Sequence, residues 1–368
     1  MKHTLIGLRG TPNTLSGHYL AFGVSEKLLF TGHSHQAWPD AGFEGQKEAW
    51  LDAAEHADGK WGGVTEKVER VCSGFRKLMG DCDGDLTMDV NTHALVVRFL
   101  SALPLRKRPR IVTTDGEFHS IRRQLDRLEE EGFQVVKVHA DPVESLAERV
   151  AAEVDDQTAC AVMSSVLFGS GLIVPELAVV ADACSLHGAE MLVDAYHSLG
   201  VVPFSLSGME QAFVLGGGYK YLQLGEGNCV LRVPPDCTMR PAITGWFSEF
   251  DILAGEGSRG EVPYGKGAAR FAGSTYDPTS QYRAAAVMDF FANQALGIEL
   301  LRAVSQHQVG LLADAFARLD LDPATVRLDE GVRVPSRGGF LALRAPDAAG
   351  LSASLLERGV RTDSRGSA

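Results

Sequence analysis

Two stretches of the chain decide its fold: MLVDAYHSLG at residues 191–200 and FVLGGGYKYL at residues 213–222. Each begins as an apolar strand and continues into polar residues. Asp194 closes the first strand, and Lys220 follows the second strand, 26 residues after Asp194. In a parallel sheet, the carboxyl ends of such strands meet at one edge, where ligands bind. We therefore expect Asp194 and Lys220 to lie close together at that edge.

A lysine beside a carboxylate in a sheet has two interpretations. The first is a buried ion pair with a purely structural role, since paired charges do occur in protein interiors. The second is a site for pyridoxal 5'-phosphate (PLP). The aldehyde of PLP reacts with a lysine amine, and a carboxylate keeps its pyridine nitrogen protonated. From these two residues alone, both interpretations stay open.

Three glycines, Gly216, Gly217 and Gly218, stand just before Lys220. The pattern Gly-x-Gly-x-x-Gly is absent, and no Walker-type Lys-Ser or Lys-Thr follows, so a nucleotide-binding loop is not predicted. Small residues at this point favour a close approach of the backbone to a cofactor.

The wider pattern predicts an α/β fold. Strand and helix signals alternate from about residue 94 to residue 233, and the strands are apolar on both faces. This pattern indicates a mostly parallel sheet, of the seven-stranded type, between helices. A continuous helix is predicted over residues 43–79, ending at Gly80.

Changes in composition and hydrophobic period along the chain divide it into four predicted parts. These are an N-terminal arm with a substrate loop at 1–40, a large PLP-binding domain at 41–250, a linker with an active-site loop at 251–280, and a small α+β C-terminal domain at 281–368. The linker segment is rich in Gly and Pro and has no clear period, which is typical of functional loops.

Composition excludes several classes of protein. The chain has 368 residues, 45% hydrophobic and 22% charged, so it can bury a core. Its net charge of −12 disfavours nucleic acid and anionic membranes as partners. No apolar run approaches the length of a membrane span. Six cysteines without a Cys-x-x-Cys pair indicate reduced thiols, and we expect a cytoplasmic protein.

Three motifs together resemble kynureninase, a member of the class V aminotransferase group of fold-type I PLP enzymes. They are Asp194-x-x-His197-Ser198, the run GYKYL at 218–222, and MSSVLFGSG at 163–171. The resemblance is closest over residues 160–232. It implies PLP as the cofactor, an amino acid as the small-molecule substrate, and a homodimer with shared active sites.

The resemblance also implies roles for individual residues. Lys220 would bind the cofactor aldehyde, Asp194 would pair with the pyridine nitrogen beside His197, and Tyr219 would contact the phosphate and assist proton transfer. The other implied cofactor residues are Thr92 and His93 in the phosphate turn, Phe118 stacked on the pyridine ring, and Trp246 and Thr275 reaching a neighbouring subunit's site. Ser34 matches a serine of the N-terminal substrate loop.

Several of these residues also have plain structural interpretations. Phe118 can be a core aromatic residue, Trp246 an anchor for an irregular loop, and Thr92 with His93 an ordinary helix cap.

The chain departs from the kynureninase pattern in three places. Ile121 stands where kynureninases carry an aspartate, and Thr275 stands where they carry an asparagine. In the family, a further strand after about residue 361 bears an arginine that binds the substrate α-carboxylate. The sequence ends before that arginine, so we expect either an incomplete chain or another group in its role. These departures weaken the assignment of kynurenine as substrate more than that of the cofactor.

Three other signals have mainly structural interpretations. The basic run at residues 106–110 is expected to be a solvated turn after a helix. His33 and His35 lack a convincing further ligand for zinc. Arg122 and Arg123 either meet an acidic substrate group or face solvent on a helix.

Three functional hypotheses follow. The first is kynureninase-like hydrolytic cleavage of a Cβ–Cγ bond, releasing alanine. The second is another class V activity: aminotransferase, epimerase or cysteine desulfurase. A desulfurase needs a reactive cysteine in a mobile loop, and none of the six is obviously placed so. The third, a non-catalytic protein with this fold, is disfavoured because a buried polar cluster of this kind needs a reason to exist.

Overall fold

A seven-stranded sheet forms the centre of the molecule, whose computed structural model describes residues 3–10, 13–81, 83–253, 260–328 and 333–366. The described strands are β1 (Leu28–Leu29), β2 (Asp85–Asp89), β3 (Arg110–Thr114), β4 (Gln134–Val138), β5 (Thr158–Ser164), β6 (Glu190–Asp194), β7 (Phe213–Gly217), β8 (Cys229–Val233), β9 (Arg327–Leu328), β10 (Leu343–Arg344) and β11 (Val360–Arg361). The central sheet has the order β2-β8-β7-β6-β5-β3-β4, and β8 alone runs against its neighbours. The predicted mostly parallel sheet is confirmed.

The register of the central strands determines what meets at the carboxyl edge. Ser164 pairs with Asp194 between β5 and β6, and Asp194 pairs with Leu215 between β6 and β7. The last residues of the three strands therefore lie side by side. The segment carrying Lys220 leaves β7 at the same edge.

Helices cover both faces of the sheet. The described helices of the chain are α1 (Leu5–Leu8), α2 (Ala41–His56), α3 (Trp61–Met79), α4 (Thr92–Ala102), α5 (His119–Glu130), α6 (Leu146–Ala151), α7 (Leu177–His187), α8 (Thr279–Asn293), α9 (Ile298–Ala317) and α10 (Ala348–Glu357). Successive strand residues alternate between two apolar clusters: Val193 packs into one and Leu192 into the other. The inner strands β5, β6, β7 and β8 are mostly apolar because both of their faces are buried.

The predicted helix over residues 43–79 is divided in the structure. It consists of α2 and α3, joined by a 3₁₀ turn at Ala57–Lys60. The break falls at Ala57, which has φ of 50°, in the left-handed region that ends a helix. The end at Gly80 is as predicted: it adopts φ of 64° and its N–H closes the last turn of α3.

Two small pairings stand outside the central sheet. β1 of the N-terminal arm pairs in parallel with β11, so Leu28 lies opposite Val360. β9 and β10 form an antiparallel pair. Within the predicted C-terminal domain, α8 packs against α2 and α3 of the predicted large domain. The predicted boundaries at 40, 250 and 280 stay predictions.

No single helix of the described residues is long and apolar enough to cross a membrane; only the α8–α9 pair, bent by 88°, reaches that length and composition when taken together. Five cysteines, Cys72, Cys160, Cys184, Cys229 and Cys237, are free thiols. Cys82, the sixth, lies outside the described residues.

Candidate active site

A cavity of about 340 Å³ opens at the carboxyl edge of the central sheet. It contains Asp194 and Lys220, the two residues that the sequence analysis expected to lie close together. The side chains and backbone lining it come from four strand ends and the start of α4 and α5: Val90, Asn91, Thr92, Phe118, Ser120, Asp194, Tyr196, His197, Tyr219, Lys220, Glu226, Gly227 and Cys229.

Asp194 and Lys220 are nearly inaccessible, 7% and 5% exposed. Asp194 Oδ1 accepts a hydrogen bond of 2.9 Å from the Tyr196 backbone N–H. Burial raises the pKa of Asp194, while this hydrogen bond and the charge of Lys220 act against the rise. Burial lowers the pKa of Lys220 to about 8, with the charge of Asp194 opposing. An amine with this pKa exchanges its proton readily near neutral pH.

His197 contacts the lysine directly. Its Nε2 lies 2.8 Å from Lys220 Nζ. Burial and the neighbouring ammonium lower the pKa of His197 well below its usual range, so the ring is neutral. Nε2 then accepts the hydrogen bond from the ammonium, and the ring proton resides on Nδ1.

Three aromatic rings surround the amine. Lys220 Nζ lies 4.6 Å from the ring centroid of Tyr196, 5.2 Å from that of Phe118 and 5.8 Å from that of Tyr219. Over the described part of the chain, no carboxylate comes within ion-pair distance of Nζ. The lysine is thus held in an apolar, aromatic environment instead of a structural salt bridge, which favours a reactive amine.

The start of α4 borders the opposite side of the cavity. Asn91 caps the helix, with Oδ1 accepting from the Ala94 backbone N–H at 2.9 Å. Thr92, the first residue of the helix, lines the cavity. His93 is exposed and lies against Gln124, with Nδ1 3.4 Å from Nε2, outside the cavity lining. A helix start that faces a cavity is suited to an anion.

The remaining predicted site residues lie outside the cavity lining. Ser34, in the N-terminal arm, is buried, and its hydroxyl donates to the Thr31 carbonyl at 3.3 Å. Trp246 is 43% exposed and makes an edge-to-face contact with Phe247. Thr275 is exposed. Their predicted roles stay predictions.

A buried carboxylate, Glu117, was missed from the sequence. It is 1% exposed, and its oxygens accept hydrogen bonds from Thr114 Oγ1 at 2.6 Å and from Ser164 Oγ at 2.6 Å. Burial raises its pKa to about 7, and the nearby charge of Asp194 contributes. A glutamate directly before Phe118, in the loop after a buried strand, was the available signal.

The rim of the site, formed by His33, Phe340 and Asp363, brings residues from both ends of the chain into contact. The sequence analysis did not predict this contact. The His33 ring stacks on Phe340 at 4.7 Å, and Phe340 lies 5.9 Å from His197, centroid to centroid. His33 Nε2 is 3.8 Å from Asp363 Oδ2. Burial lowers the pKa of His33 to about 4, so this ring is neutral at pH 7.

Three further residues that the sequence analysis discussed, Arg122, Arg123 and Ile121, have structural or solvent-exposed positions. Arg122 is exposed and pairs with Asp126 at 2.8 Å along α5, and Arg123 is exposed. Ile121 is buried in the apolar core, 1% exposed. In the ranges that the structure describes, no cluster of three or more His, Cys, Asp or Glu residues could hold a metal ion.

Sequence comparisons find distant relatives. No protein-family model matches the chain. It is 24% identical over 268 residues to the uncharacterized aminotransferase YcbU of Bacillus subtilis (strain 168), covering 72% of this chain and 68% of that one. It is 26% identical over 321 residues to the kynureninase of Pseudomonas fluorescens, covering 82% and 73%. The kynureninase of Geobacillus thermodenitrificans is 27% identical over 236 residues, and the match spans about half of its length, 51%.

Structural comparisons find closer agreement in fold. A mutant of C-DES with glycine covalently linked to the PLP cofactor superimposes with a TM-score of 0.79 at 18% identity, covering 95% of this chain and 91% of that one. The apo cysteine desulfurase of Thermococcus onnurineus NA1 gives a TM-score of 0.75 at 16% identity, covering 98% and 87%.

The chain therefore has the fold of the fold-type I PLP enzymes, and the comparisons support the class V group within it. The predicted PLP cofactor agrees with these neighbours and relatives. The residues of the cavity fit such a cofactor: a buried amine with a lowered pKa, a carboxylate at the end of the adjacent strand, an aromatic face at Phe118 and a helix start at Thr92.

Proposed function

We propose that this chain is a PLP-dependent enzyme acting on an α-amino acid, and that its activity is a kynureninase-like hydrolysis of a Cβ–Cγ bond. One observation carries the proposal: Lys220, with its lowered pKa, and Asp194 share one buried cavity at the carboxyl edge of the sheet. The cofactor aldehyde would be held at Lys220 Nζ and its pyridine nitrogen at the Asp194 carboxylate. Phe118 would cover the ring, and the start of α4 would face the phosphate.

Bound at these residues, PLP supplies an electron sink for the substrate Cα. Asp194 holds the proton on the pyridine nitrogen, which preserves that sink. Lys220 Nζ takes the proton from Cα and returns it later, a role for which a pKa near 8 is suited. His197 Nε2 holds Nζ in place through the 2.8 Å contact. Tyr219, with its ring 5.8 Å from Nζ, assists the transfer.

The proposed reaction consumes one molecule of water. The water adds to the γ-carbonyl carbon of the substrate and the Cβ–Cγ bond breaks. The acyl part leaves as a carboxylic acid, and Cβ receives a proton to give alanine. This chain departs from the kynureninase pattern at Ile121, which is buried in the apolar core, and at Thr275, which lies outside the cavity lining. Because these positions differ from those of kynureninases, we propose that kynurenine is a slow substrate.

Other class V activities are the alternatives. The relative YcbU, described as an uncharacterized aminotransferase, favours transamination as the second candidate. A desulfurase is disfavoured, since burial raises the pKa of all five described thiols and thus suppresses the reactive thiolate form.

We further propose a homodimer with shared active sites. Trp246 and Phe250 are 43% and 58% exposed in a 3₁₀ segment, Trp246–Ile252, and their ring centroids lie 5.5 Å apart. Exposed clustered aromatic residues are typical of subunit contacts.

Two measurements test the proposal. The first adds PLP, reduces with borohydride and maps the adduct, which we expect on Lys220. Lys137 is the matched control, since it is a surface lysine bound to Asp126 and Glu129. An adduct on Lys137, or no visible absorbance band with PLP, would refute the site.

The second measurement incubates the holoenzyme with kynurenine and with 3-hydroxykynurenine and assays alanine. Alanine release that disappears in Lys220→Ala supports hydrolysis. An α-keto acid formed from a simple amino acid, without alanine from either compound, would replace hydrolysis by transamination.

A further inference from the structure

Tyr196 is a buried phenol at the cavity that neither the motif analysis nor the proposed mechanism uses. It stands between Asp194 and His197, is 6% exposed and lines the cavity. Its ring centroid is 4.6 Å from Lys220 Nζ and 5.2 Å from the ring centroid of Tyr219. A polar tip buried this deeply is expected to have a partner.

The end of this side chain occupies the space beside Gly217, the last residue of β7. A Cβ added to Gly217 would lie 2.3 Å from Tyr196 Cε2 and 2.4 Å from both Cζ and Oη. Gly217 is held in the sheet by its pairing with Cys229, so its backbone cannot yield. The Tyr196 hydroxyl therefore stands where a side chain of residue 217 would otherwise be.

The Tyr196 hydroxyl has a weak hydrogen-bond partner in the described part of the chain. Its oxygen lies 3.8 Å from Cys229 Sγ, and either atom can be the donor. Thr92, at the start of α4, lines the same cavity as Tyr196 and Cys229. Burial raises the pKa of Cys229 to about 12, so its sulfur is a neutral thiol and a weak acceptor.

The nearby carboxylates, Asp89 and Asp194, have other partners than the Tyr196 hydroxyl. Asp89, on the strand paired with Cys229, is bound to Arg98 Nη2 at 2.6 Å. Asp194 is engaged by the Tyr196 backbone N–H. An anion between Tyr196 Oη and the start of α4 would accept from a hydroxyl and from helix amides together.

We propose that the Tyr196 hydroxyl donates a hydrogen bond to the phosphate group of PLP, taking the place of a side chain at residue 217. This inference rests on the proposed function, since it assumes PLP in the cavity. The inference implies that a side chain at residue 196 or at residue 217 can reach the phosphate, but not both, because the two would occupy the same space.

The test compares PLP with pyridoxal, which lacks the phosphate. Cofactor-free wild type and Tyr196→Phe are titrated with each compound, and binding is followed by absorbance. Loss of a hydrogen bond to a charged group is expected to weaken PLP binding roughly 10-fold or more, while pyridoxal binding is unchanged. Tyr221→Phe is the matched control, because Tyr221 is a buried phenol outside the cavity lining.

Equal losses for PLP and pyridoxal, or no loss for PLP, would overturn the inference. Because wild type is titrated first, failure of PLP to bind wild type refutes the proposed function instead. The double variant Tyr196→Ala/Gly217→Ser serves where Tyr196→Phe does not fold. It is expected to bind PLP more tightly than Tyr196→Ala, because a hydroxyl is restored at the same place, and an equal or lower affinity would also overturn the inference.

Discussion

Glu117 provides a sharp prediction, because it is a buried carboxylate without a cation beside it in the described structure. Its oxygens accept from Thr114 Oγ1, from Ser164 Oγ, and from the Ser164 backbone N–H at 3.1 Å. Ser164 lies opposite Asp194 in the sheet register. The replacement Glu117→Gln keeps the size and most of the hydrogen bonding of this side chain but removes its titration.

The sign of the pH effect follows from the two pKa values. Burial raises the pKa of Glu117 to about 7 in the folded chain, against an ordinary value of 4.5. Between these values the folded state binds more protons than the unfolded state, so stability falls as pH rises. The contribution is fully present below pH 4.5 and lost as pH passes 7. At 1.36 kcal/mol per tenfold change in proton affinity, it amounts to about 3 kcal/mol.

The assay is urea denaturation of the cofactor-free protein at several values between pH 5 and pH 8. The free energy of unfolding of wild type, relative to Glu117→Gln, is expected to fall by about 2.5 kcal/mol across this range. Taking the difference between the two proteins removes most of the contribution of other titrating groups. Glu153→Gln is the control for net charge, since Glu153 is a surface partner of Arg110.

Infrared difference spectroscopy gives a second readout. A carbonyl stretch of a protonated carboxyl group should be present in wild type at pH 6 and absent from Glu117→Gln. The reasoning is refuted if the stability difference is independent of pH and this stretch is missing, because Glu117 would then be ionised at pH 6 despite its burial.

Three further predictions concern other buried or exposed groups. Asp194→Asn is expected to lower turnover by at least 100-fold and to lower the pKa of Lys220 below 8, because the opposing charge is lost. Kinetics measure the turnover, the pH dependence of PLP uptake by the cofactor-free protein measures the pKa of Lys220, and an unchanged rate contradicts the assignment. Trp246→Ala is expected to speed loss of PLP on dialysis and to shift sedimentation towards the monomer; a monomeric wild type that retains PLP contradicts it. Asp81→Ala should cost about 3–5 kcal/mol in urea denaturation, because it leaves Arg232, 1% exposed, without its buried partner; a loss under about 1 kcal/mol speaks against this.

The parts of the site that the sequence predicted are those fixed by the geometry of a parallel sheet. Asp194 ends β6, and Lys220 follows β7 by three residues. Because neighbouring parallel strands end at one edge, local apolar patterns were enough to bring these two side chains together. Phe118 and Thr92 were implied by the resemblance to kynureninase, and the structure places both in segments that leave β3 and β2 at this edge.

The parts that escaped prediction depend on contacts between distant segments. Glu117 is identifiable as buried only when Ser164, from another strand, is seen to hydrogen-bond to it. The break between α2 and α3 occurs at Ala57, directly before the turn dipeptide Asp58-Gly59. The apolar period on both sides outweighed this signal in the prediction. The strand β2 was missed because its alternating polar residues, DLTMD, face a partly exposed edge of the sheet.

The division between the floor and the rim of the site explains why the cofactor is easier to infer than the substrate. The floor of the site carries Asp194 at the end of β6 and Lys220 just after β7, two five-residue strands of the central sheet whose pairing follows from strong local patterns. The rim joins His33 to Asp363 through the β1–β11 pairing, which has only two residues in each strand and connects opposite ends of the chain. A pairing this short has almost no sequence signal of its own and is held by packing around it. Since substrate selectivity is decided by rim contacts, it is the property that most needs direct measurement.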